Sequence, residues 1–260
     1  MTTTSHPCLQ AAALTHVGKR RTRNEDCIAF AGETLNDAMT EPRLILHRLG
    51  TPGVCVVADG MGGHPAGDIA SRLIADRLNT DLAGIGCDAD ALVGVLLDAN
   101  RLLFSEMERT PALYGMGTTV AGAVVHADGI LAFNLGDSRV YRVRTGKLEQ
   151  LSTDDSMQAS SGFLGSKATR VLSQCLGGFP TGGEIRPHVV KLPLDVGAEL
   201  LVCSDGLHDM LDDTQIEACL APDLGNSVQA LFQSAMRQGG LDNISIIHAR
   251  VTHASPAQPA

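Results

Sequence analysis

Three aspartates, Asp59, Asp205 and Asp242, stand beside Gly or Asn where an apolar run begins or ends. Val54 to Ala58 runs into Asp59-Gly60-Met61-Gly62-Gly63-His64, and Leu200 to Ser204 runs into Asp205-Gly206. Gly239-Gly240-Leu241-Asp242-Asn243 precedes the run Ile244-Ser245-Ile246-Ile247. A carboxylate at the junction of a buried strand and a tight turn is presented rather than packed away. Oxygen-rich clusters of this kind suit Mg²⁺ or Mn²⁺, and glycine beside a ligand lets a backbone carbonyl, here that of Gly60, approach an ion as a further donor. Asp-Gly is also a common turn dipeptide. Each pair alone therefore reads as a turn, and the case for a metal centre rests on the repeated setting.

A fourth segment, Arg21-Thr22-Arg23-Asn24-Glu25-Asp26, puts arginine and two carboxylates just ahead of another apolar run. The planar guanidinium fork matches phosphate oxygens. Lys19, Arg20, Arg21 and Arg23 together also read as a solvated basic loop.

These residues must be positioned by strands and helices that the apolar pattern outlines. Apolar runs bounded by Gly, Asp and Pro predict strands near 10–17, 27–31, 53–58, 118–126, 129–135, 138–143, 187–192, 198–204 and 244–251. Ala127-Asp128-Gly129 and Thr145-Gly146-Lys147 read as hairpin turns. Helical spacing predicts helices over 66–82 and 89–109, with two more at 214–221 and 226–238. Asp88-Ala89-Asp90 reads as the start of the second helix, where acids suit the dipole. Runs of strands with paired helices segregated from them imply an α+β fold, a four-layer α-β-β-α sandwich with two central antiparallel sheets flanked by paired helices. One domain over 8–252 is expected, with loose tails at 1–7 and 253–260. No repeat or low-complexity segment interrupts it.

Composition narrows the function. The 260 residues are 44% hydrophobic but only 3% aromatic, with no Trp, so Leu, Val, Ile and Ala must fill the core. A net charge of −9 without a basic block argues against nucleic acid, and an acidic protein that handles phosphate needs cations in its site. The seven cysteines are odd in number and scattered, without a Cys-x-x-Cys pair, which implies reduced and mostly buried thiols rather than zinc or disulfides. No cysteine is followed six positions later by arginine, which excludes a thiolate phosphatase loop. No apolar run is long enough to span a membrane, and Met1 to Gln10 lacks a signal-peptide pattern, so the expected location is the cytoplasm.

Taken in order, the motifs resemble those of the metal-dependent PP2C-like (PPM) protein phosphatases, bacterial type. They are Arg21-x-x-Asn24-Glu25-Asp26, Val57 to His64, Gly115-Met116-Gly117-Thr118-Thr119, Asn134-Leu135-Gly136-Asp137-Ser138-Arg139, Leu201 to Gly206 and Asp242 to Ser245. The resemblance implies a protein serine/threonine phosphatase with two Mn²⁺ or Mg²⁺ ions and a third, weaker ion. It implies that Asp59 bridges the two metals, that Gly60 gives its carbonyl to one, and that Asp205 and Asp242 bind the other. Asp137 would join Asp205 at the third ion, Glu25 and Asp26 would act through waters, and Arg21 would grip the substrate phosphate. A water activated between the cations would attack phosphorus directly.

Two features depart from the family pattern. Met61 occupies the position where animal relatives carry a histidine after Asp-Gly, leaving His64 or a water as proton donor. Between Leu151 and Gly178, relatives usually carry Thr-x-Asp-His and a longer flap. This chain reads Ser152-Thr153-Asp154-Asp155-Ser156, then a Ser- and Gly-rich stretch that reads as a shortened, mobile flap. The expected partners are phosphorylated proteins, a cognate serine/threonine kinase and its substrates, met as a monomer. The rival reading is a catalytically silent relative that binds phosphoproteins.

Overall fold

The apolar runs become strands and the spaced runs become helices in the computed structural model, which describes residues 7–61, 66–158, 170–178 and 184–253. The first half contains β1 (Pro7–His16), β2 (Asp26–Phe30), β3 (Glu33–Leu35), β4 (Arg43–Arg48) and β5 (Gly53–Met61), then α1 (Gly67–Asp81) and α2 (Ala89–Arg109). There follow β6 (Gly117–Thr118), β7 (Val120–His126), β8 (Gly129–Leu135), β9 (Arg139–Arg144), β10 (Lys147–Gln150), β11 (Ser156–Gln158), β12 (Arg170–Leu172) and β13 (Leu176–Gly177). The chain continues with β14 (His188–Leu192), β15 (Glu199–Cys203), α3 (Asp205–His208), α4 (Asp213–Cys219), α5 (Leu224–Arg237) and β16 (Ile244–His253).

Two antiparallel sheets form the centre. One runs β10-β9-β15-β16-β1-β4; the other runs β13-β6-β5-β7-β8-β14, with β2 also paired to β5 and β3 paired to β2. The expected four layers follow from how each face is covered. In β5, Val54, Val56 and Ala58 face the core beneath α1 and α2, while Cys55 and Val57 face the other sheet. That two-sided burial is why Val54 to Ala58 is apolar at every position rather than alternating. A third core, with Leu201, Cys203, Ile244 and Ile246 on the sheet side, lies under Ile216, Val228, Leu231 and Ala235 of α4 and α5.

The helices start where local chemistry dictates. Asp88 caps α2 by accepting the amides of Asp90 (2.9 Å) and Ala91 (3.2 Å), and Leu92, Leu96, Leu103 and Met107 form its buried stripe. Asp212 and Gln215 make a reciprocal capping box on α4.

The structure differs from the sequence expectation in several places. Strand β4 was not anticipated: Arg43-Leu44-Ile45-Leu46-His47-Arg48 is a charged edge strand whose Leu44 and Leu46 are exposed, so it lacks a buried-strand signature. Pro7 and His253, expected in the tails, pair with each other at the ends of β1 and β16. The rest of both tails lies outside the described residues. All seven cysteines are free, and Cys8, Cys27, Cys55, Cys175 and Cys203 are buried. Among the described residues no helix is long and apolar enough to cross a membrane.

Candidate active site

The acidic residues meet at one end of the sandwich because four connections converge there: the end of β5, the turn from β8 to β9, the exit of β15 into α3, and the entry to β16. Asp26 and Asp59 occupy paired positions on β2 and β5. Asp59 is thus the seventh residue of a strand that continues to Met61, not the first residue of a turn as its neighbours suggested. Asp205 likewise opens the short helix α3 rather than a tight turn. Asp137 lies in the connection that carries the chain from one sheet to the other.

Glycines let these segments close on one another. A Cβ on Gly60 would overlap the Gly67 carbonyl and come within 2.6 Å of the Glu25 carbonyl, and a Cβ on Gly206 would overlap the Asn243 carbonyl. Close packing of backbones, which the sequence reading did not foresee, is what requires glycine at both positions. Asn243, to which sequence reasoning assigned no role, then bolts the N-terminal loop in place. Its Oδ1 accepts the Glu25 amide (2.8 Å), and its Nδ2 donates to the carbonyls of Val17 (3.0 Å) and Arg23 (2.9 Å). Ser204 is the second residue missed. It donates to Asp26 Oδ2 (2.8 Å) and accepts the Ser245 amide (3.0 Å), linking the two sheets beneath the cluster.

Arg21 reaches the cluster from the β1–β2 loop and donates from Nη2 to Asp242 Oδ2 at 2.7 Å, with its side chain half exposed. The Asp242 hydrogen bond, with the charges of Glu25 and Asp59 behind it, raises the Arg21 pKa and keeps the guanidinium charged. His64, Gly62 and Gly63 lie outside the described residues, as does 159–169 of the flap. Its described part is a two-stranded ribbon of β11 and β12 in which Met157 pairs with Val171, both exposed.

The electrostatics of the cluster favour a cation. Burial, then the charges of Asp26, Asp205, Asp242 and Asp137, holds Asp59 well above the usual carboxylate range. Burial pushes Asp26 up to about 6, with Asp242 adding repulsion, and burial with Asp137, Asp242 and Asp26 pushes Asp205 up to about 8. Asp137 is raised by burial, and Glu25 by burial and by Asp68 and Asp242. The buried Oδ1 atoms of Asp26 and Asp205 have no hydrogen-bond donor. Crowded carboxylates with orphaned oxygens and almost no compensating cation fit divalent ions. Among the described residues no three His, Cys, Asp or Glu side chains close around one point.

This repulsion has a measurable consequence in the metal-free protein. A folded-state carboxyl pKa above the unfolded value means that the folded chain keeps protons that the unfolded chain releases. The stability is then fully present below the unfolded value near 3.8 and is lost as pH rises through about 6 for Asp26 and about 8 for Asp205. In EDTA, the urea midpoint is expected to fall steadily from about pH 5 to about pH 8. Added Mn²⁺ should restore more at the alkaline end, because ions bind the deprotonated carboxylates. A flat profile in EDTA would refute the crowding.

The chain resembles known proteins over most of its length. The family model described as "Protein phosphatase 2C" matches residues 31–243. The chain is 31% identical over 259 residues to "Serine/threonine protein phosphatase PstP" of Mycobacterium tuberculosis, covering 94% of this chain and 45% of that protein. It therefore spans about half the length of that relative. It is 30% identical to "Serine/threonine phosphatase stp" of Listeria monocytogenes, covering 75% of this chain and 82% of that one. The crystal structure of the PstP catalytic domain in complex with two manganese ions superposes with a TM-score of 0.74 at 28% identity, covering 95% of this chain and 99% of that chain.

Proposed function

The chain belongs to the protein phosphatase 2C family, and from that membership we propose that it is a metal-dependent protein serine/threonine phosphatase. The observation that carries the reading is the mutual repulsion of Asp26, Asp59, Asp137 and Asp205, crowded at one end of the sandwich with donorless oxygens on Asp26 and Asp205. Asp59, the Gly60 carbonyl, Asp205 and Asp242 would hold two Mn²⁺ or Mg²⁺ ions, which supply a water of near-neutral pKa as nucleophile and a positive field for the phosphoryl oxygens. Asp137 with Asp205 offers a place for a third ion, and Glu25 and Asp26 act through waters.

Arg21 supplies the phosphate clamp. Its guanidinium already faces the cluster, and its half-exposed pair with Asp242 is weak enough to be shared with an incoming phosphate. The fork would then offer two parallel N–H donors to phosphoryl oxygens and so orient the phosphoryl group. Met61 has no proton to give the leaving seryl or threonyl oxygen, so that proton comes from His64 or from solvent. The substrates we assign are phosphorylated proteins, with a cognate serine/threonine kinase as the opposing enzyme, acted on by a cytoplasmic monomer.

A phosphothreonine peptide incubated with the full chain is expected to release phosphate in Mn²⁺ and none in EDTA. Stoichiometric peptide binding without turnover would instead establish a silent phosphoprotein-binding protein.

A further inference from the structure

Asp155 is a buried carboxylate that the proposed reaction leaves unused, at 7% exposure. Its Oδ2 accepts the Gly136 amide (3.0 Å), while its Oδ1 accepts from Gln174 Nε2 (2.9 Å) and His188 Nε2 (2.9 Å). Its own amide donates to the Gly136 carbonyl (3.0 Å), and its carbonyl accepts the Ser173 amide (2.8 Å). Gly136 is thus held at both backbone groups by one residue. Asn134 adds a second donor to the same carbonyl (3.1 Å).

Gly136 immediately precedes Asp137 and has φ of 107°, where a side chain would also press on Thr119 at 2.6 Å. The direction of the Asp137 carboxylate is therefore set by how this turn is clamped. Asp155 is also the residue before β11, and Ser173 and Gln174 follow β12 directly, so the same carboxylate closes the base of the ribbon. His188 ties both to β14.

We infer that Asp155 is a positioning residue, which aims Asp137 at the aspartate cluster and joins that turn to the base of the β11–β12 ribbon through Gln174 and His188. The inference rests on the reading of Asp137 as an ion ligand. Asp155 uses both carboxylate oxygens as acceptors, and each faces donors. Asparagine keeps the shape but has only one acceptor oxygen, so its NH₂ must meet either the Gly136 amide or the Gln174 and His188 donors.

The test uses Mn²⁺ titrations of the full chain, read by calorimetry and by phosphopeptide turnover, with amide hydrogen exchange at Gly136 in EDTA. Asp155→Asn is expected to weaken Mn²⁺ half-saturation by roughly 10–100-fold, as loss of a ligand's hydrogen-bonded support does elsewhere. Turnover at saturating Mn²⁺ should be largely recovered, and the Gly136 amide should exchange faster without metal. His188→Gln, which keeps an N–H donor, is expected to behave like the parent, and His188→Leu like a milder Asp155→Asn. Should Asp155→Asn fail to fold, His188→Leu carries the same readouts. Unchanged Mn²⁺ half-saturation together with unchanged Gly136 exchange overturns the positioning role. If Asp137→Ala leaves the Mn²⁺ dependence intact while Asp155→Asn speeds Gly136 exchange, the clamp stands and the ligand reading of Asp137 falls.

Discussion

Asp59→Asn is expected to lower Mn²⁺-dependent kcat/KM by at least about three orders of magnitude, since the several kcal/mol that metal-centred charge stabilisation contributes convert at about 1.4 kcal/mol per tenfold. The same substitution is expected to stabilise the metal-free chain. Asp59 is raised by burial and by four neighbouring aspartates, and the carboxamide keeps the volume while removing the charge they repel. The backbone of Asp59 is secured independently, its carbonyl accepting from Thr118 Oγ1 and the Thr119 amide, both at 2.9 Å. Thermal melts in EDTA near pH 8 should therefore show a higher midpoint for the variant, and the further rise that Mn²⁺ gives the parent should shrink. Loss of activity with a lower midpoint in EDTA would make Asp59 a structural residue instead. Activity within tenfold of the parent would remove it from the reaction.

Arg21→Ala is expected to cost about 10²–10³-fold in kcat/KM for a phosphopeptide, the range seen when one donor to a developing oxyanion is lost. Arg21→Lys should recover only part, because an ammonium replaces the charge but not the planar fork. The Mn²⁺ affinity is the discriminating measurement. Arg21 pairs with Asp242 through side chains that are 50% and 33% exposed, an interaction worth at most about 1 kcal/mol. Its removal frees an oxygen of Asp242, so Mn²⁺ half-saturation should tighten slightly or stay put. If the loss in rate is instead matched by a tenfold or greater loss of Mn²⁺ affinity, Arg21 supports the metal centre and the phosphate clamp must be sought elsewhere.

The two variants separate roles that the geometry places within one small volume. In the proposed reaction Asp59 would act by charge on the ions, and Arg21 by shape on the substrate. Asp155 differs from both, as it touches neither the cluster nor any site assigned to substrate and acts only through the Gly136 turn.

Much of this was legible before any coordinates. The two-sided burial of β5 shows as an unbroken apolar run, the stripe of α2 as Leu92, Leu96, Leu103 and Met107, and its start as Asp88. These signals are local: each depends on residues within a few positions of one another, where the periods of strand and helix operate. The three aspartates were visible for the same reason, although Asp59 proved to lie within its strand and Asp205 at the head of a helix. Strand β4 escaped because an exposed edge imposes no apolar period, and the ribbon because two three-residue strands carry too little pattern.

Only the tertiary structure decided which strand ends meet. Arg21 and Asp242 are 221 positions apart, Glu25 and Asn243 218, and Asp26 and Ser204 178. Sheet order, not sequence neighbourhood, brings them together, and a hydrogen bond across such a separation leaves no periodic trace. The sequence by itself determined that several carboxylates would be offered at strand ends beside glycines. The fold decided that they are offered to one another. That proximity raises their pKa values, orphans the oxygens of Asp26 and Asp205, and turns separate Asp-Gly junctions into a site that calls for cations.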